Sequence, residues 1–322
     1  MRIEISALFP LHLTYETIPR KFHIGGGVFI ERLELGWLNE LKSQCPKVAA
    51  MEQLEPVGEY THRFFYEIVL PKKGFVSLDA LGNETERDVQ LLMRAIILSR
   101  IIKPTSIAYS GLFVKSFYRD SETVKHKSNP YLNNHNIAYV EPDTEIWNTI
   151  TESDLNIIAE LWDSFQFFFD DANSSKPKYS RILRSIKFNE IAYAISFAEI
   201  SHTISHTALE TIICSDSQYN KAQVTQRLPQ LVSFISQKQA KDIYLLCCDF
   251  KHSASGLLKD SPTINNVLSS SDQSRKDAVI LLRRALRYLL TKSLRERQFA
   301  DILADPQLLK QTYKVHKNGK LI

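Results

Sequence analysis

The sequence predicts an α+β protein, with an N-terminal domain mixing β-sheet and helix and an all-α helix bundle after it. Two observations predict this. Short runs rich in aromatic and β-branched residues recur up to about residue 141, which is the composition of strands. Beyond Asp171 those runs stop, and apolar residues recur every three or four positions instead, the period of a buried helix face. The expected boundaries are a β-rich recognition or sensor domain over 1–170, a linker over 171–178 and a helical domain over 179–322.

In the first part, residues 3–9, 27–34, 62–71 and 106–118 read as strands, and 136–141 as a further candidate. Gly25, Gly26 and Gly27 lack the Lys-Ser/Thr of a phosphate-binding loop and the spacing of a dinucleotide fingerprint, so they read as a turn or bulge. Residues 84–102 carry a helical stripe through Val89, Leu92, Met93, Ile96, Ile97 and Ile101, and Pro104 ends it. Residues 152–169 form a second helix, with Leu155, Ile158, Leu161, Trp162 and Phe165 on its apolar side. His12, His23, His62, His126 and His135 show no metal-ligand spacing, and no metal or cofactor is expected. Residues 171–178 are polar and carry Pro177, the composition of a linker.

The second part reads as helices over 179–200, 202–214, 221–236, 240–252 and 272–293. The first keeps Ile182, Ile186, Ile191 and Ile195 in its stripe, and the second Ile204, Ala208, Leu209, Ile212 and Ile213. A bundle is their natural architecture.

Composition narrows the function classes. The chain has 322 residues, 44% of them hydrophobic and 24% charged, the balance of a globular protein with a core. No run of 18 apolar residues occurs, so no membrane span is expected. Glu4 interrupts what would be the apolar core of a signal peptide, and Cys45, Cys214, Cys247 and Cys248 include no CxxC spacing. Free thiols in a cytoplasmic protein are the expectation. From Asp171 onward there are 23 basic and 13 acidic residues, against 17 and 23 before it. That asymmetry fits a polyanion partner for the basic half, and equally an attraction between the halves.

The stretch from Ala240 to Gly256, AKDIYLLCCDFKHSASG, starts as an apolar helical run and ends in Asp249, Lys251 and His252. A histidine there lies near the negative pole of the helix, which favours its charged form. It serves either as a proton-transfer group or as a cap on the last carbonyls. The basic run after it, Arg283, Arg284, Arg287, Lys292, Arg295 and Arg297, reads as the polar side of its helix. With Tyr288 available to stack a base, it is a candidate nucleic-acid surface, the other reading being a solvated helix face.

The order ALETIIC at 208–214, VTQRLPQLVS at 224–233, IYLLCCDFKHSASG at 243–256 and the long basic helix after it resembles the HEPN superfamily, and within it the Apea-like branch, over about residues 180–300. The resemblance implies a metal-independent endoribonuclease site completed across a homodimer of the helical domain. In it an Arg holds the scissile phosphate and a His moves the proton. It also implies an RNA substrate, a role in prokaryotic anti-phage defence, and a protein partner or phage-derived trigger at the N-terminal domain. His252 matches the family His, with Asp249 and Lys251 beside it. The family Arg position is Cys247, and Cys cannot supply a planar charged fork. Either Lys251 or an Arg of the following helix replaces it, or the site is inactive and the protein binds and dimerises without catalysis.

Overall fold

The fold is that of a computed structural model, which describes residues 2–10, 21–32, 39, 43, 60–69, 78–103, 111–118, 121–128, 150–193, 195, 198–252, 272–317 and 320–321. The chain divides into two compact units, Met1–Asp163 and Ser164–Ile322. The division falls inside a helix, not in the polar segment 171–178.

The first unit contains β1 (Arg2–Pro10), β2 (Lys21–Gly25), β3 (Val28–Arg32), β4 (Tyr60–Val69), β5 (Gly111–Tyr118) and β6 (Ser121–Ser128). They form one antiparallel sheet in the order β2-β3-β4-β1-β5-β6. β1 is central, with Ile5 opposite Tyr66 of β4 on one side and Val114 of β5 on the other. Helix α1 (Leu78–Ile102) joins β4 to β5 and packs on β1, β3 and β4. Its stripe buries Leu92, Ala95, Ile96, Leu98 and Ile101.

Two strands of this sheet, β2 and β6, were not expected from the sequence. Both are sheet edges, and β6 carries Lys125 and Lys127, the charged composition that keeps an edge from pairing further. That composition also hides the alternation a strand is recognised by. The expected strand over 136–141 lies outside the described residues.

The glycine run is the turn of the β2–β3 hairpin, with Gly26 and Gly27 at φ +56° and +85°. A Cβ on Gly25 would stand 2.3 Å from Cδ1 of Trp162. The glycines therefore let the hairpin lie against the indole. Trp162 belongs to α2 (Glu152–Asp171), which opens on a reciprocal cap between Thr151 and Asp154. Lys103 completes the cap at 2.9 Å from Asp154. Burial pushes the Asp154 pKa up, but the Lys103 ammonium and the Thr151 hydrogen bonds outweigh it and hold the carboxyl below its usual range.

The second unit is a helix bundle. It holds α3 (Ser180–Tyr193), α4 (Ala198–Ile213), α5 (Asn220–Leu231), α6 (Gln237–His252), α7 (Gln273–Arg295), α8 (Arg297–Ala304) and α9 (Pro306–Thr312). A short hairpin of β7 (His316–Lys317) and β8 (Lys320–Leu321) follows, so the unit is not the all-α bundle that the sequence predicts; two-residue strands are too short to show an alternation. The expected single helix over 179–200 ends at Tyr193, where Ser201 of α4 donates to the Ala192 carbonyl at 2.7 Å. Ile191, expected in the buried stripe, is 46% exposed. The expected helix over 221–236 ends at Leu231, just past Pro229. Ser236 and Gln239 then form a capping box that starts α6 three residues before the expected position 240. Segment 171–178 is tied at both ends. Asp171 accepts from the Tyr179 amide at 2.7 Å, and Lys178 pairs with Asp301 at 2.7 Å.

Candidate nucleic-acid interface and the polar core behind it

Residue alternation along α7 sends neighbouring arginines in opposite directions. A helix turns 100° per residue, so positions 283 and 287 share a face that 284 and 288 do not. Arg283 and Arg287 are buried, at 3% and 8% exposure. This corrects the expectation that the whole basic run covers the polar side of its helix. Arg283 donates to Ser201 Oγ at 2.6 Å and lies over the Tyr193 ring at 5.4 Å. Leu282, Leu286, Leu289 and Leu290 bury the same side of the helix and draw both arginines in with them.

The other candidate residues of α7 are exposed or half-buried and lie against aromatic rings. Arg284 lies over Phe234 at 5.0 Å. Phe234 and Tyr288 meet edge to face at 5.6 Å. Lys292 lies 4.6 Å from the centre of the Phe299 ring and 6.0 Å from that of Tyr288. Phe234 and Tyr288 are 36% and 37% exposed, high for large aromatic side chains. Exposed rings offer π-faces to bases, and the cations beside them offer charge to phosphates.

Asp249 and Lys251 are exposed on the last turn of α6. His252 is placed by its backbone as the last residue of that helix, and its side chain lies outside the described set. Arg275, at the start of α7, lies over Phe250 at 5.9 Å and marks where α7 passes this end of α6. From Arg275 to Arg284 is roughly 13 Å of helix at 1.5 Å per residue. The aromatic strip and the C-terminal end of α6 thus meet α7 at successive points along its length.

Behind α6 lies a feature that the apolar reading of α4 passed over. The buried face of α4 holds Ser201, His202, Ser205 and His206 beside Ala208, Leu209, Ile212 and Ile213. His202 packs edge-on against Phe250 at 5.5 Å, and His206 packs against Tyr244 at 5.6 Å. Neither ring nitrogen of His202 has a hydrogen bond in ordinary geometry, and the Ile243 carbonyl is the acceptor facing it. His206 Nδ1 stands 3.6 Å from Glu210 Oε2, an ion-pair distance longer than a hydrogen bond. Burial drives the His202 pKa down to about 3, and the charges of His206 and Arg283 add to the effect. Burial also works against a charge on His206, but Cys247 and Glu210 outweigh it and raise the pKa to about 9. The spacing His202, His206, Glu210 at i, i+4, i+8 was the signal in the sequence that these three share a face.

Cys247, which stands where the resemblance calls for an arginine, is 1% exposed on the inner face of α6. Arg227, in the segment that carried part of that resemblance, is fully buried. It donates to the carbonyls of Ile213 and Tyr313 and to Gln223 Oε1. It caps the C-terminus of α4 and pins the segment after α9. Among the described residues no group of three or more His, Cys, Asp or Glu is placed to hold a metal ion. No described helix is long and apolar enough to cross a membrane. Comparison with family models, with curated proteins and with solved structures finds no match.

Proposed function

We propose that the helical unit is a HEPN-type, RNA-acting effector domain that engages single-stranded RNA over Arg284, Phe234, Tyr288 and Lys292. His252 is the proton-transfer group of a degenerate, metal-independent endoribonuclease site, with Asp249 orienting it and Lys251 holding phosphate. The protein works as a homodimer through this unit, in prokaryotic anti-phage defence, with the N-terminal unit receiving a protein or phage-derived trigger. The observation that carries the RNA reading is the pair of exposed rings, Phe234 and Tyr288, with Arg284 and Lys292 of α7 beside them. Stacking on such rings is tolerant of sequence and contributes about 1–3 kcal/mol per base.

The test is fluorescence anisotropy with short labelled single-stranded RNAs, run together with gel assays of cleavage. Tyr288→Ala and Phe234→Ala should each weaken binding about tenfold, a loss of the stacking term above. His252→Ala should lower cleavage by ~100-fold while leaving binding intact. Wild-type protein that binds no RNA at low salt would overturn the reading. Light scattering that shows only a 37.0 kDa species would overturn the dimer.

One observation favours a second reading. The burial of Cys247 means that the position the family gives to arginine faces the core here. If wild-type protein binds RNA and cuts none, the unit is a non-catalytic HEPN-fold binding and dimerisation module.

A further inference from the structure

The face on which α4 meets α6 is charged where a packed helix pair is ordinarily apolar. His202 and His206 are both essentially without exposed surface, at 1% and 0%. They lie one turn apart on α4, each against an aromatic ring of α6. A buried polar group without a partner costs free energy, so an interior that keeps two such imidazoles calls for an explanation. We propose that His202 and His206 form a proton-operated latch between α4 and α6, in which the pair holds one proton while the helices are packed and a second proton, on His202, releases the His252-bearing end of α6.

The surroundings of the two rings differ in the way a latch needs. His206 faces the Glu210 carboxylate on its own helix and the Cys247 thiol and Tyr244 on α6. Glu210 is itself held by Asn220 of α5 at 3.1 Å. A proton on His206 therefore has acceptors. The strongest charge effects on His202 come from His206 on α4, Arg283 from α7 and Lys251 from α6, all of them cations, and the Ile243 carbonyl of α6 opposes them as an acceptor. From α3, Tyr193 lies under Arg283, and Glu190 one turn earlier carries a buried carboxylate oxygen. Of the two carboxylates on α4, Glu210 is two turns farther along, roughly 12 Å from His202, and Glu199 is half-buried in the first turn, three residues before it. A second proton would enter a desolvated site with three cations near it, and the Ile243 carbonyl does not offset the burial and the like charge. The group that must yield is Phe250, which closes over His202 two residues before the end of α6.

The sign follows from linkage. His202 in the packed state takes a proton only near pH 3, whereas once released it takes one near its ordinary value of about 6.5. Release therefore binds a proton, and the released population grows about tenfold for each pH unit below about 6.5. The latch is closed at neutral pH and opens on acidification.

Hydrogen exchange on the full chain, corrected for intrinsic rates, reads this directly. Between pH 7.5 and 5.0 the amides of 243–252 should lose roughly tenfold in protection per pH unit below 6.5, while those of 286–304 stay unchanged. His202→Phe, which keeps a ring against Phe250 and cannot take the proton, should abolish the difference. Equal loss of protection in both segments would mean global acid unfolding and would overturn the latch, as would a His202→Phe protein with the wild-type pH profile. Should that variant not fold, the imidazole NMR signals of the wild type decide. A His202 ring that titrates near pH 6.5 with unchanged exchange at 243–252 is an ordinary hydrated histidine, and the latch is wrong. A ring that stays neutral to pH 5.0 while those amides open supports it, and one that stays neutral with no opening overturns it.

Discussion

The helical unit carries two populations of cations. Arg227 and Arg283 lie inside it and are held by oxygens of the chain: main-chain carbonyls and Gln223 for the first, the Ser201 hydroxyl for the second. Arg284, Lys292 and Arg297 lie toward the outside over aromatic rings, Arg297 between Phe167 at 3.9 Å and Tyr179 at 4.1 Å. The interior set spends its hydrogen bonds on the fold: Arg227 caps a helix and Arg283 stitches α7 to α4. The exterior set keeps its charge near water, where an anion can reach it. An interior cation is thus tolerated in this unit where acceptors are already waiting, and that rule can be broken deliberately.

The largest effect should come from placing a cation where no acceptors wait for it. Cys247→Arg restores the residue that the resemblance calls for, but at a position with 1% exposure. Glu210 nearby is already committed to His206 and Asn220. The variant should lose about 4 kcal/mol, the scale of an uncompensated buried charge, and melt far below the wild type by circular dichroism. A folded Cys247→Arg protein with a near-native melting temperature would show that α6 can turn this position outward.

Next is the removal of an interior cation that does have acceptors. Arg227→Ala strands the Ile213 and Tyr313 carbonyls and Gln223 Oε1 without a donor. Charge-assisted hydrogen bonds contribute about 1.5–3 kcal/mol each, with partial recovery by water. Urea denaturation should show a loss of about 3 kcal/mol. Arg227→Lys should recover only part of it, because an ammonium cannot reach acceptors in the directions a planar fork does.

His206 extends the comparison to a cation that can be switched off. Its pKa rises from 6.5 to about 9 in the fold, so its stabilising contribution is fully present below pH 6.5 and is lost as pH rises through 9. Stability should fall by about 3 kcal/mol between pH 6.5 and 9.5, and His206→Gln should flatten that slope. The His202 effect runs the other way, weakening the fold below pH 6.5, so the wild type should be most stable near pH 6.5.

These residues also mark how far the sequence could be read. The change from strand-like runs to helical stripes was visible because central strands such as β1 and helices such as α1 have one apolar face with a clear period. The edge strand β6 was not, since polar composition is what an edge requires, and β2 was not because its five residues give too short an alternation. On α7 the charges were legible as a basic run, but their division into buried and exposed depended on which arginines share the face of Leu286 and Leu290. On α4 the histidines were passed over because Ile and Leu explained the helix well enough alone. Asp249, Lys251 and His252 are legible as a polar end to α6. Their chemistry depends on side-chain placements that a sequence period does not carry.

The smallest change in stability belongs to the exterior set, and it separates the two populations most cleanly. Arg284 is exposed and lies over Phe234 at 5.0 Å. An exposed cation–π contact contributes about 0.5–1 kcal/mol, and alanine is a better helix former than arginine by a few tenths. Arg284→Ala should therefore change stability by no more than about 0.5 kcal/mol. If the strip engages RNA, the same substitution removes one phosphate-neutralising charge. Affinity at low salt should then fall several-fold, and the slope of log affinity against log salt should decrease by about 0.7, the value for one contact to a single strand. Arg283→Met, one residue away, should do the reverse. It should cost about 2 kcal/mol, through the lost bond to Ser201, and leave the salt slope where it was. Equal effects on stability and on salt slope from both variants would mean that the two arginines are not divided between core and surface in solution, and the strip would lose its claim to be a binding surface.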